Sequence, residues 1–155
     1  MPRQSEASSG RKMFTRNNFP SKRLTCYFLV MYKITASASF SAAHHLREYR
    51  GKCENQHGHN WRVTASVRGE TLGSDGMLVD FGDLRRMLRE VCAELDHTDV
   101  NIHPYFAINN PTAENIAAWI FGRIEKKLAE AGYAASMHEV SVEETDGSTA
   151  CYSAS

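Results

Sequence analysis

Three histidines in the first half of the sequence have a spacing that suits metal binding. His57 and His59 form an H-x-H pair, and extended backbone places both imidazoles on the same side of a strand. Two imidazoles held in this way fit two positions of a tetrahedral zinc ion, and His44 can supply a third, leaving one position open for water or substrate. The alternative is an exposed polar turn, which a third histidine near a neighbouring strand end disfavours. The adjacent His45 is expected to point to the opposite face.

A cysteine and a glutamate precede this pair in the segment Cys53-Glu54-Asn55-Gln56-His57-Gly58-His59. Spacing alone leaves two roles open for the thiol of Cys53: a fourth metal ligand in a closed structural site, or a nearby base or nucleophile. The polar residues around it disfavour a third role as a small buried apolar side chain.

Asp96 and His97 end a predicted helix, and the helix dipole alone could favour a histidine there. The functional alternative is a proton relay in which Asp96 orients His97.

Further along the chain, Glu144 shares a strand face with apolar residues, whereas Glu143 lies on the other face. A carboxylate in register with buried residues is costly unless it is paired, so Glu144 is expected to bind a ligand rich in hydrogen-bond donors. A solvated strand end is the alternative for Glu144.

The elements that position these residues are visible in the hydrophobic pattern. Residues 32–40 and 61–67 alternate between apolar and polar, which predicts two half-buried antiparallel strands. Two helices follow, because the apolar period changes to that of a helix. Their predicted stripes are Phe81, Leu84, Leu88, Val91 and Leu95, and then Ile116, Ile120, Ile124 and Leu128.

The ends of these helices carry recognisable signals. Asp80 and Thr112 are the predicted N-caps, and Gly132 is the predicted left-handed stop. A strand near residues 135–145 and a short one at 151–152 complete the order ββααββ. This order predicts an α+β fold: an antiparallel sheet with two helices on one face. Self-association is then expected to cover the other face.

Length and charge limit the remaining possibilities. A chain of 155 residues fits one domain, and no apolar run is long enough to span a membrane. Residues 1–30 hold six basic residues and one acidic residue, and the remainder holds twelve basic and seventeen acidic residues. We therefore predict a disordered basic extension at 1–30, a domain at 31–155 and no binding to nucleic acid. An export signal is the alternative for the extension, but Lys33 interrupts that pattern. Four cysteines without a close-spaced pair favour a reducing, cytoplasmic location.

Together these residues resemble a known family, the 6-pyruvoyltetrahydropterin synthase / 6-carboxytetrahydropterin synthase family. The segments that carry the resemblance run in order from Met31 to Tyr152: Phe40-Ser41-Ala42-Ala43-His44, the Cys53–His59 segment, Asp80-Phe81, Leu95-Asp96-His97, Asn110-Pro111-Thr112-Ala113-Glu114 and Val142-Glu143-Glu144-Thr145. The gap between Cys53 and His57 is most similar to that of the bacterial 6-carboxy-5,6,7,8-tetrahydropterin synthases of queuosine biosynthesis.

The resemblance implies a fold, a metal and a reaction. The family's tunnelling fold assembles sheets into trimeric barrels, usually stacked as hexamers. Zn²⁺ on His44, His57 and His59 is implied to polarise the side-chain oxygens of 7,8-dihydroneopterin triphosphate. The implied products are 6-carboxy-5,6,7,8-tetrahydropterin, acetaldehyde and triphosphate.

The resemblance also implies roles for individual residues. Cys53 is implied to be the proton-transferring thiolate, with Asp96 and His97 as a relay that assembles across a subunit interface. Glu144 is implied to accept hydrogen bonds from the N–H edge of the pterin. The nearest candidates to bind the triphosphate are Arg47, Arg50 and Lys52.

Two departures leave an alternative open. Glu54 creates the pattern C-E-x-x-H-G-H, which resembles members that cleave the same substrate to 6-hydroxymethyl-7,8-dihydropterin for folate synthesis, and Glu54 is then a possible second base. Gln56 stands where many relatives have leucine. A folate-type lyase, alone or as a second activity, is therefore the alternative. A pterin- or metal-binding relative without turnover is disfavoured because Cys53, Asp96 and His97 are all present.

Overall fold

The computed structural model describes residues 31–154, so the predicted extension at 1–30 lies outside the described residues. Four antiparallel strands form one sheet in the order β1-β2-β3-β4. The strands are β1 (Tyr32–His44), β2 (His57–Gly69), β3 (Ser136–Thr145) and β4 (Ser148–Tyr152). The helices, all between β2 and β3, are α1 (Phe81–Ala93), α2 (Pro104–Ile108) and α3 (Ala113–Glu130). Short 3₁₀ turns cover Lys52–Glu54 and Val100–Ile102.

The predicted alternation of apolar and polar residues in β1 and β2 is confirmed by which of their side chains are buried. β1 and β2 pair without a shift from Tyr32 opposite Gly69 to His44 opposite His57. Phe40 and Trp61 stack across the pair on the inner face, with ring centroids 5.8 Å apart. Because the register is unbroken, the two strands remain paired up to the histidines at the end of the hairpin.

Helices α1 and α3 cover the inner face of the sheet, α1 against β1 and α3 against β3 and β4. The predicted α3 stripe is fully buried. The prediction for Phe81 is wrong, since this residue opens α1 and is 56% exposed. The buried stripe of α1 begins one turn later at Leu84, and it includes Met87, which was not predicted.

Three of the predicted helix-end residues are confirmed, but α1 ends at Ala93 and not at Asp96 and His97 as predicted. Asp80 Oδ1 accepts hydrogen bonds from the N–H groups of Gly82 and Asp83, and Thr112 Oγ1 accepts one from Asn115. Gly132 has φ +75°, the left-handed conformation that ends α3. Helix α2 and the turn at Val100–Ile102 were not predicted. No helix among the described residues is long and apolar enough to cross a membrane.

Small polar side chains cover the outer face of the sheet. Thr35 and Ser66 form a hydroxyl pair 3.0 Å apart, and Arg62 donates to Glu143 at 2.9 Å. In the part of the chain that the structure describes, the outer face is therefore polar, so the expected self-association does not require an apolar contact on this face. Within residues 31–154, β1 and β4 are both edge strands. Copies of the chain can join their sheets by backbone pairing of these edge strands, and such pairing does not require the outer face to be buried.

Candidate metal centre and active site

The three histidines selected from the sequence lie together with Glu144 where β1, β2 and β3 meet. One ligand atom from each of the four side chains lies within 4.8 Å of all the others. His44 ends β1 opposite His57 in register, and His59 lies on the same face two residues later. The pleat of β2 therefore presents both imidazoles of the H-x-H pair to the end of β1. These four side chains could hold a metal ion.

Main-chain hydrogen bonds orient two of the rings. His44 Nδ1 lies 2.8 Å from the carbonyl oxygen of Pro111, and His57 Nδ1 lies 2.8 Å from that of Asn55. A carbonyl oxygen only accepts, so Nδ1 carries the proton in both rings. The lone pair of Nε2 is then available to a metal ion, with the other nitrogen held as metal-binding histidines usually are.

Two nitrogen atoms of the cluster lack a hydrogen-bond partner. Nε2 of His44 and Nε2 of His59 are buried and unpaired. Each lies 3.1 Å from Oε1 of Glu144, but without the alignment of a hydrogen bond. Leaving buried polar atoms unpaired is costly, and a divalent cation would satisfy both lone pairs. The donor set therefore fits a metal ion, and three imidazoles that leave a fourth position open are typical of a catalytic zinc site.

Burial also favours the neutral form of two of the imidazole rings. Loss of solvent lowers the pKa of His44 and the pKa of His59 below the usual 6.5, against the opposing effect of the Glu144 carboxylate. Both imidazoles are therefore neutral at pH 7, the form that binds a metal ion.

Glu144 lies on the inner face of β3, beside an irregularity in the strand pairing. The pairing of β3 with β4 shifts between Glu143 and Thr145, and the pairing of β2 with β3 ends at Arg62 opposite Glu143. Glu143 points to the outer face and binds Arg62, whereas Glu144 points to the histidines. The two carboxylates lie on opposite faces, as the strand period indicated.

A cavity of about 650 Å³ opens beside the cluster. It is lined by His44, Cys53 and Glu144, and by Thr112 and Glu114 from the start of α3. Thr112 was predicted as a helix N-cap, and neither Thr112 nor Glu114 was predicted to be a site residue. The volume suits a ligand of the size of a substituted bicyclic ring.

Glu54 is close to the site in sequence but not in the cavity. It belongs to the 3₁₀ turn at Lys52–Glu54, is exposed and does not line the cavity that Cys53 lines.

Among the candidate phosphate-binding residues, Arg47 donates from Nη2 to the carbonyl oxygen of Phe106 at 2.8 Å. Arg50 and Lys52 are exposed.

Asp96 and His97 form a pair on another side of the cluster. Asp96 Oδ1 accepts from the Ser41 N–H at 2.8 Å and lies 3.0 Å from His97 Nδ1. The hydrogen bond from Ser41, followed by that from His97, lowers the pKa of Asp96. His97 is 82% exposed and lines a depression with His59 rather than the cavity of Cys53. One copy of the chain therefore does not bring this pair and Cys53 into one cavity.

The fold and the site define an α+β protein with a candidate metal-dependent active site at one end of its sheet. A family model described as 6-pyruvoyl tetrahydropterin synthase matches residues 33–155. The chain belongs to the 6-pyruvoyl tetrahydropterin synthase family, whose members are pterin-processing enzymes.

Relatives within this family have different activities. The chain is 41% identical over 127 residues to a 6-carboxy-5,6,7,8-tetrahydropterin synthase of Synechocystis, covering 79% of this chain and 93% of that protein. It is 38% identical over 96 residues to a dihydroneopterin monophosphate aldolase of Pyrococcus furiosus, covering 62% of this chain and 77% of that protein. The solved structure of 6-pyruvoyl tetrahydropterin synthase from Caenorhabditis elegans superposes with a TM-score of 0.71 at 26% identity, covering 82% and 98% of the two chains. This match confirms the predicted fold, while the exact reaction is a matter for proposal.

Proposed function

We propose that the chain is a zinc-dependent 6-carboxy-5,6,7,8-tetrahydropterin synthase of queuosine biosynthesis. It converts 7,8-dihydroneopterin triphosphate and water into 6-carboxy-5,6,7,8-tetrahydropterin, acetaldehyde and triphosphate. The observation that carries the proposal is the pair of buried, unpaired Nε2 atoms of His44 and His59 beside a cavity lined by the thiol of Cys53. The similarity to the Synechocystis synthase supports this choice of product.

The roles follow from the position of each side chain. His44, His57 and His59 would hold Zn²⁺, which would supply a Lewis acid to polarise hydroxyl oxygens of the substrate side chain. Cys53 Sγ takes protons from this side chain and returns them at the neighbouring carbon. Glu144 accepts hydrogen bonds from the N–H edge of the pterin, which a planar carboxylate fits with two oxygens.

Asp96 and His97 complete the proton relay from a second copy of the chain. Supporting this, His97 lines a depression that does not include Cys53 in one copy. The anionic Asp96 holds His97 Nδ1 and leaves Nε2 free for proton exchange. The open edges of β1 and β4 are the surfaces through which copies pair into a trimeric barrel, or into a hexamer of two such barrels. Free thiols at Cys53, Cys92 and Cys151 agree with a location in the cytoplasm.

A second candidate is a lyase that yields 6-hydroxymethyl-7,8-dihydropterin with Glu54 as the base. The similarity to an aldolase that acts on dihydroneopterin monophosphate favours it. The exposure of Glu54 outside the cavity disfavours it. A binding protein without turnover is a third and weaker candidate, because binding alone needs no thiol beside the metal ligands.

Analysis of the products separates these candidates. Zinc-loaded protein is incubated with 7,8-dihydroneopterin triphosphate, the pterins are separated by chromatography and acetaldehyde is assayed. Wild type is expected to form 6-carboxy-5,6,7,8-tetrahydropterin and acetaldehyde, and Cys53→Ala to lose both while keeping zinc. Glu54→Gln is the matched control and should change little. A 6-hydroxymethyl product that persists in Cys53→Ala and disappears in Glu54→Gln would instead establish the second candidate.

A further inference from the structure

Two asparagine side chains hold the segment that follows His44. Asn101 Oδ1 accepts from the His45 N–H at 2.9 Å, and Asn101 Nδ2 donates to the His45 carbonyl oxygen at 2.9 Å. Asn110 forms the same two hydrogen bonds with Arg47, each at 2.9 Å. Each amide therefore satisfies the donor and the acceptor of one main-chain residue, as a neighbouring strand would.

The residues held in this way lie beyond the end of β1. Between them, the Leu46 N–H donates to the carbonyl oxygen of Cys53 at 2.8 Å. The main chain of Cys53 is thus bonded to a residue whose two neighbours are each fixed by an asparagine. Arg47 adds a third support, because its guanidinium donates to the Phe106 carbonyl oxygen.

Asparagine is the residue type that such a contact requires. Its amide presents one acceptor and one donor side by side, whereas aspartate presents two acceptors and alanine presents neither. Asn101 is only 9% exposed, so its amide must be paired where it lies. Neither asparagine is a metal ligand, and the His44 ring is anchored separately on Pro111.

We propose that Asn101 and Asn110 are positioning residues that fix the path of residues 45–53 and thereby hold the Cys53 thiol at the cavity beside the metal cluster. The catalytic use of that thiol rests on the proposed function, but its positioning does not. Losing one asparagine removes two main-chain hydrogen bonds, which should increase transient opening of this segment by about 5- to 30-fold.

The test uses the full-length, zinc-loaded protein without substrate. Amide hydrogen exchange is measured at Leu46 and Arg47, and the alkylation rate of Cys53 by iodoacetamide is measured by peptide mass spectrometry. Asn110→Ala should accelerate both by about 5- to 30-fold while zinc content is retained. The exposed Cys151 in the same molecules should react at its wild-type rate.

Asn109→Ala is the matched control, because Asn109 also donates one hydrogen bond, to Tyr105, but does not bind residues 45–53. It should leave exchange and alkylation unchanged. Asn110→Asp keeps an acceptor for Arg47 but places an oxygen against its carbonyl, so we expect it to behave like the alanine variant. Asn101→Ala should act in the same way, and if it does not fold, the Asn110 variants decide the question alone.

Unchanged exchange and alkylation in Asn110→Ala, or an equal change in Asn109→Ala, would overturn the proposal. Wild-type behaviour of Asn110→Asp would overturn the role of the amide donor. All of these outcomes are independent of which pterin the enzyme forms, so failure of this proposal is distinguishable from failure of the proposed function.

Discussion

His44 Nδ1 lies 2.8 Å from the carbonyl oxygen of Pro111, which is 67 positions later in the chain. This hydrogen bond joins the end of β1 to the turn before α3 and fixes which nitrogen of the ring carries the proton. The partner is a main-chain atom, so it persists whatever side chain occupies that position. One ligand of the candidate metal centre is therefore oriented by the fold itself.

The first prediction concerns metal content. Purified wild-type protein is expected to hold about one zinc ion per chain, and His57→Ala or His59→Ala should lose most of it, since each variant removes one of the three imidazole ligands. Metal analysis after dialysis gives the stoichiometry, and circular dichroism should show the helices and strands retained. His45→Ala is the control, because His45 lies outside the cluster. Full zinc occupancy in both variants would contradict the three-histidine site.

The second prediction concerns the pH dependence of the metal-free protein. Burial lowers the pKa of His44 and of His59 below 6.5, so the unfolded chain takes up these protons more readily than the folded one. The free energy of unfolding should therefore change little between about pH 6.5 and pH 8 and fall as the pH drops below about 6.5. Urea titrations at a series of pH values provide the measurement. In the His59→Ala variant, the free energy of unfolding should fall less steeply below about pH 6.5. An equal slope in wild type and variant would exclude His59 as a cause of this pH dependence.

The third prediction compares two neighbouring carboxylates. Glu144→Ala should weaken pterin binding by about 1–3 kcal/mol, the cost of leaving a buried donor edge unpaired. Glu143→Ala removes only the surface pair with Arg62 and should have little effect. Fluorescence titration with neopterin measures both affinities. Equal losses would show that the face of the strand does not determine ligand contact.

The fourth prediction concerns the backbone of His97. Its φ of 55° lies in the left-handed region, which costs about 1 kcal/mol for a residue with a Cβ. Both His97→Ala and His97→Gly lose the contact with Asp96, but only glycine relieves the strain. We expect the glycine variant to be the more stable by about 0.5–1 kcal/mol in thermal unfolding. A more stable alanine variant would mean that the turn relaxes on substitution.

Much of the fold was predictable because side-chain periods report local backbone geometry. The alternation around Phe40 and Trp61 and the spacing of Ile116 and Ile120 each correspond to one strand or helix. Capping by Asp80 and Thr112 was predictable for the same reason, since each cap binds N–H groups within three residues of itself.

The remainder depended on contacts that periodicity does not contain. Helix α2 has five residues, too few to repeat an apolar position reliably. Asn101 and Asn110 bind residues 56 and 63 positions away, and nothing in their local sequence indicates those partners. The three histidines could be grouped because two adjacent strands end at them. The position of Glu114 in the cavity lining could not be predicted, because it depends on how α3 packs against β3 and β4.

The position of the helices between β2 and β3 has a consequence for how the chain folds. β1 and β2 are neighbours in sequence, whereas β3 joins them only after the chain from Gly69 to Ser136 has folded back. Pairing across so long a separation is slow, so we expect the hairpin to form first. The three imidazoles belong to that hairpin and the Glu144 carboxylate arrives with β3. We therefore expect zinc to bind a partly folded chain, so that stopped-flow refolding is faster with zinc for wild type but not for His57→Ala.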